Sequence, residues 1–154
     1  MIINLENEYP SIVRDFMNHP VYRFYLTGSR FFGNSTRVSD WDFFIDYNHV
    51  HANGFVMFNQ FMVDNGFSTD SHGKVASEHY CDSSITHLYR KPRTSYRGFA
   101  IDVQVVRDAE LKHLVQNWMK QNRKHLALST ADPSERSLIW NEYMDLAMKA
   151  KKLT

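Results

Sequence analysis

At 154 residues the chain is long enough for one domain with its own apolar core, and 43% hydrophobic with 23% charged residues is ordinary for a globular protein. Eighteen basic residues against 17 acidic ones give a formal net charge of +1, which excludes the basic excess of a dedicated duplex-binding protein, so any nucleic-acid contact is expected to be local. Cys81 is the single cysteine and rules out an intramolecular disulfide; residues 1–9 do not read as a signal peptide, and no apolar run approaches the roughly 20 residues that span a bilayer. The expectation is a soluble, cytoplasmic chain with no membrane contact.

In chain order, residues 10–18 predict a first helix with Ile12, Val13, Phe16 and Met17 on its apolar side, ended by Pro20, which holds His19 extended. The short apolar run 21–26 predicts a buried strand, broken by Thr27, Gly28 and Ser29. A polar loop over 33–40 leads to a second strand at 41–47. Phe55, Phe58 and Met62 are spaced for one face of a helix that Gly66 stops. The stretch 68–91 is the least legible; Thr86, His87, Leu88 and Tyr89 read as a strand, half of a hairpin begun near Glu78. Residues 99–106 give a clearer strand.

Asp108 is placed to N-cap a helix in which Leu111, Leu114, Val115 and Trp118 follow the i, i+3, i+4, i+7 rule. Asp132 and Pro133 open the last helix, with Ile139, Tyr143, Leu146, Ala147 and Ala150 along one face; Met144 and Met148 read as core packing. The predicted class is α+β: a mixed sheet flanked by helices, forming one domain over 1–154 with its core at about 20–107 and C-terminal helices at about 108–152.

The chemistry is concentrated in two segments. In a strand, residues two apart share a face, so Asp40 and Asp42 project together from the start of the second predicted strand. Two carboxylates this close repel one another unless a cation lies between them, and oxygen donors of this kind suit Mg²⁺, with Mn²⁺ as an alternative. Asp102 interrupts an apolar strand between Ile101 and Val103, where an acid needs a partner. Should its strand lie beside that of Asp42, three carboxylates converge as two-metal phosphoryl transfer requires; otherwise Asp102 is a strand-end acid paired with a nearby arginine. Gly28 after a buried strand lets backbone approach a phosphate closely, and Ser29 adds a hydroxyl.

Gly28, Ser29, Arg30, Gly33, Ser39, Asp40 and Asp42, followed by strand-borne Asp102, together resemble the DNA polymerase β nucleotidyltransferase superfamily, and within it the minimal nucleotidyltransferases. The resemblance covers roughly residues 22–106 and implies a polymerase β palm-like fold and transfer of a nucleoside monophosphate from an NTP, ATP on family grounds, to a hydroxyl. It assigns metal to Asp40, Asp42 and Asp102, the last as ligand or proton acceptor, and the triphosphate to Gly28, Ser29 and Arg30. Trp41, Phe43 and Phe44 are bulkier than the aliphatic residues usual there, and residues 68–97 match nothing in the family pattern. The acceptor is left open among a protein, an RNA end and a small molecule, with a lean to protein or RNA because minimal relatives often modify a partner in toxin–antitoxin pairs.

Two rival readings use the same residues. One is a non-catalytic binding module or antitoxin-like partner that keeps the fold; the other is a metal-dependent nuclease, which leaves Gly28 and Ser29 without a role. Arg30 reads equally as a phosphate contact or an exposed loop arginine, and Asp46 as a solvated strand end. Arg90, Lys91, Arg93 and Arg97, interleaved with Tyr89 and Tyr96, read as a solvated hairpin rather than a stacking surface for an acceptor strand. No zinc spacing exists among His49, His51, His79 and Cys81.

Overall fold

The computed structural model of the protein describes residues 10–36, 39–70, 85–94 and 98–153. Among these, five strands are β1 (Tyr25–Thr27), β2 (Trp41–Asp46), β3 (Ser68–Asp70), β4 (Ile85–Lys91) and β5 (Ile101–Val106). Seven helices accompany them: α1 (Ser11–Met17), α2 (Gly28–Phe32), α3 (Tyr47–Ala52), α4 (Phe55–Asp64), α5 (Ala109–Gln121), α6 (Leu126–Thr130) and α7 (Pro133–Leu153). The sheet runs β1-β2-β5-β4-β3, parallel only between β2 and β5, so it is the mixed α+β sheet the sequence predicts.

Strand alternation divides the sheet into two faces. Trp41, Phe43 and Ile45 of β2, with Ile101, Val103 and Val105 of β5 and Tyr89 of β4, point to one side and pack beneath α1 and α4 through Val13, Phe16, Phe58 and Met62. The high aromatic content is spent here: Phe16 stacks on Phe24 at 4.6 Å between ring centroids and meets Phe43 edge-on at 5.9 Å. On the other side Phe44, Tyr25 and Val106 meet Ala109. Beyond them Leu111, Val115 and Met119 of α5 join Leu128 and Met144 in a second apolar cluster with α7. All six residues of β5 are buried, as its central place demands.

Several boundaries differ from the sequence-based expectation, each for a local reason. Of the first predicted strand only Tyr25 and Leu26 enter the sheet, and β1 runs on through Thr27, which was expected to break it. Ahead of it, His19 Nδ1 accepts from the backbone N–H of Val21 and Tyr22 at 3.1 and 3.0 Å, and His49 Nε2 donates to Val21 O at 2.9 Å, so side chains satisfy backbone that a ladder would otherwise use. The second strand stops at Asp46 because that carboxylate caps α3, accepting from Asn48 and His49 N–H. Its other oxygen accepts from Ala109 N–H at 2.8 Å, so Asp46 ties the end of β2 to the start of α5 and is no solvated strand end.

Asp108 and Asp132 cap α5 and α7 as expected, accepting from Leu111 and Glu135 N–H at 3.2 and 2.9 Å. The buried face of α5, however, is Leu111, Lys112, Val115, Gln116 and Met119; Leu114 and Trp118 are 65% and 45% exposed. Two polar residues occupy that face because each finds a partner: Lys112 Nζ donates to Gln104 Oε1 at 3.1 Å and Gln116 Nε2 to Leu26 O at 2.9 Å. In α7, Ile139, Trp140, Tyr143, Met144 and Ala147 face the second apolar cluster, whereas Leu146, Met148 and Ala150 are exposed. The short helices α2, α3 and α6 have no counterpart in the sequence-based expectation. Glu78, His79, Cys81, Tyr96 and Arg97 lie outside the described residues.

Candidate functional site

Register brings one row of side chains across the sheet. Thr27 of β1 is opposite Asp42 of β2, Asp42 is opposite Asp102 of β5, and Asp102 is opposite Arg90 of β4. Directly paired residues share a face, so the two acids expected to meet do meet, through the parallel pairing of β2 with β5. Asp102 is 1% exposed, and its only route to stability there is partnership. Arg90 provides it: Nη1 donates to both Asp102 oxygens at 3.0 and 2.9 Å. The same guanidinium stands 3.9 Å from Asp40, whose side chain is 44% exposed at the end of the loop before β2.

The charge balance shows in Asp42. Burial, followed by the Asp102 and Asp40 carboxylates and a hydrogen bond with Asp102, pushes its carboxyl up to about 7, with Arg90 offsetting only part of the effect. A carboxyl raised this far by burial and neighbouring acids gives up its proton only near neutral pH, where a cation can take the proton's place.

Gly28 abuts this carboxylate. It follows β1 at φ +69°, a left-handed backbone that glycine adopts freely, and a Cβ built there would overlap the Asp42 carboxyl group. Glycine therefore does two things at once, turning the chain into α2 and leaving room for the acid. Ser29, next in the turn, is partly buried, and its carbonyl accepts from Gly33 and Asn34 N–H at 2.9 and 3.1 Å. Gly33 closes α2 at φ +89°.

Arg30 is not the exposed loop arginine of its second reading. Its Nη2 donates to Ser39 O at 3.0 Å and its guanidinium lies 4.4 Å over the Trp41 ring, so it is a partly buried staple across the loop between α2 and β2. Burial lowers its pKa, with Asp42 opposing. Trp41 thus gains a use for its bulk.

Other candidates separate from the row. Tyr89 is fully buried and its hydroxyl donates to Asn59 Oδ1 at 2.9 Å, so it belongs to the core and offers no ring for stacking. His49 and His51 lie on α3, not on a strand, and His51 sits between Tyr47 and Phe55 at 4.1 and 5.1 Å between ring centroids. Arg90, read from the sequence as part of a solvated hairpin, is instead the nearby arginine that the alternative reading of Asp102 expected. The acid in an apolar strand signalled a cationic partner, and the antiparallel pairing of β4 with β5 selects Arg90 among the neighbouring basic residues.

Three carboxylates with excess negative charge match a hard divalent cation in donor chemistry. Their present arrangement does not gather them: among the described residues no group of three or more His, Cys, Asp or Glu side chains is placed to hold a metal ion. Asp102 faces Arg90 and Asp40 faces outward, while Asp42 bridges towards both through charge and hydrogen bonding. No helix among the described residues is long and apolar enough to cross a membrane. Comparison with protein-family models, curated proteins and solved structures gave no match.

Proposed function

We propose that this chain is a divalent-metal-dependent nucleotidyltransferase with a polymerase β palm-like core, moving a nucleoside monophosphate from an NTP to a hydroxyl acceptor. The observation that carries the reading is the pairing of Asp42 with Asp102 on adjacent parallel strands, with Gly28 turned against Asp42. Asp40, Asp42 and Asp102 would hold Mg²⁺ or Mn²⁺, which supplies charge neutralisation on phosphoryl oxygens. The chain's own part is positional. Gly28 brings backbone within reach of a triphosphate beside the acids, Ser29 offers a hydroxyl, and the Arg30 staple fixes the loop that ends at Asp40.

The test is label transfer from each α-³²P-NTP, ATP first, with Mg²⁺ or Mn²⁺, into cell protein, RNA and small metabolites, with Asp42→Asn alongside. Label appearing with the unsubstituted chain and absent with Asp42→Asn supports the reading, and the labelled fraction gives the acceptor class. No label in any fraction, from protein shown to be folded, counts against it.

One observation favours a second reading, a binding module that keeps the fold without the reaction: Arg90 already neutralises Asp102. On that reading, association with a partner persists unchanged in Asp42→Asn and needs neither metal nor nucleotide.

A further inference from the structure

We infer that Arg90 is a resident cation that competes with divalent metal for the carboxylate row, a latch that must leave Asp102 before the site can fill. The inference rests on the nucleotidyltransferase reading and explains why the three acids do not converge. Both Asp102 oxygens accept from one Arg90 nitrogen, so this carboxylate already has a cation on it. The guanidinium also reaches towards Asp40, standing between the outermost acid and the innermost one. A metal bound by all three would therefore meet the Arg90 charge at close range unless the side chain swung away.

Two features make Arg90 a movable latch rather than a permanent member of the core. Its side chain is 49% exposed while that of Asp102 is 1% exposed, so the guanidinium enters from the solvent side on a long, flexible stem. Its strand position is fixed independently of the ion pair, because β4 pairs with β5 from Ile85 to Lys91 and with β3 at Ser68 through Asp70. The stem can swing without the strand leaving the sheet.

The experiment is a direct Mn²⁺ titration at pH 8, followed by the electron paramagnetic resonance of free Mn²⁺, on the full chain and on Arg90→Met, Arg90→Lys and Asp42→Asn. Competition predicts that Arg90→Met binds Mn²⁺ roughly tenfold or more tightly than the unsubstituted chain, since one positive charge close to the metal is gone. Arg90→Lys, which keeps the charge but cannot reproduce the planar fork, falls between them. It also carries the test should Arg90→Met not fold. Asp42→Asn abolishes binding.

Equal Mn²⁺ affinity in the unsubstituted chain and both Arg90 variants, with binding still lost in Asp42→Asn, would overturn the latch and leave the metal reading standing. Absence of Mn²⁺ binding in all of them, each shown to be folded by near-ultraviolet circular dichroism, would overturn the metal reading and the latch together.

Discussion

Gly28 lies so close to Asp42 that the carboxyl group occupies the space a Cβ on residue 28 would need. This contact couples the turn after β1 to the acid on β2, and it separates two uses of glycine around the same short helix. Gly28 and Gly33 both have positive φ, +69° and +89°, but a Cβ on Gly33 would meet nothing within 4 Å.

Alanine at either position should therefore carry the left-handed backbone penalty of about 1–2 kcal/mol. Gly28→Ala should add roughly 1–3 kcal/mol for the displaced carboxylate, by analogy with overpacked cores. Urea denaturation of both variants reads the difference. On the proposed function, Gly28→Ala should also lower nucleotidyl transfer well beyond Gly33→Ala. Equal effects on stability would mean that Asp42 moves aside at no cost.

The raised Asp42 carboxyl predicts an unusual pH dependence. Its folded pKa, about 7, lies above the ordinary value of 3.8, so between these limits the native state binds a proton that the unfolded chain does not. Stability from this group is thus fully present below about pH 4, is lost as pH rises through about 7, and is flat above. The full loss is at most about 4 kcal/mol, at about 1.36 kcal/mol for each pH unit between the two values. Asp42→Asn removes the slope and should be more stable than the unsubstituted chain at pH 8, while the two converge near pH 4. Urea midpoints at pH 4.5, 6 and 8 decide it; a variant less stable at pH 8 would contradict the charge crowding around Asp42.

The legible parts of the sequence were those governed by period and by single-residue chemistry. Trp41, Asp42, Phe43 and Phe44 declare a two-faced strand, and Asp108 and Asp132 declare helix starts, because alternation and capping are local. Asp42 and Asp102 were legible as candidates but their adjacency was not, since strand order depends on a crossover that no local pattern encodes. Val21 and Tyr22 misled because histidine side chains took backbone groups that the β-rich run offered to a sheet. Lys112 and Gln116 misled in the opposite sense: a polar residue enters a buried face once a partner waits there, and the partner is visible only in three dimensions.

The ion pair between Arg90 and Asp102 yields an asymmetric prediction. Arg90→Met takes the cation away from a nearly fully buried carboxylate, whereas Asp102→Asn leaves a half-exposed guanidinium that water can solvate. Removing the arginine should cost about 3 kcal/mol or more, and removing the acid about 1–2 kcal/mol. The double substitution Arg90→Met with Asp102→Asn should recover much of the loss, because the buried charge that lost its cation is gone. A double-mutant cycle by urea denaturation at pH 7 measures this, and additive losses would show that the pair contributes no coupling.

The sharpest test of the α5 orientation sets adjacent residues against each other. Hydrophobic spacing treats Leu114 and Val115 alike, but Leu114 is 65% exposed and Val115 is 5% exposed within the cluster with Met119, Leu128 and Met144. The helix is rotated so that Lys112 and Gln116 reach the sheet, which turns Leu114 and Trp118 outward. Leu114→Ala should then change stability by no more than about 0.5 kcal/mol, as surface substitutions do. Val115→Ala, though it deletes fewer atoms, should cost roughly 1–3 kcal/mol by opening a cavity. Thermal or urea unfolding of the two variants gives the order directly. A larger loss from Leu114→Ala would mean that its face is covered in solution and that the outward stripe of Leu114 and Trp118 is a contact surface.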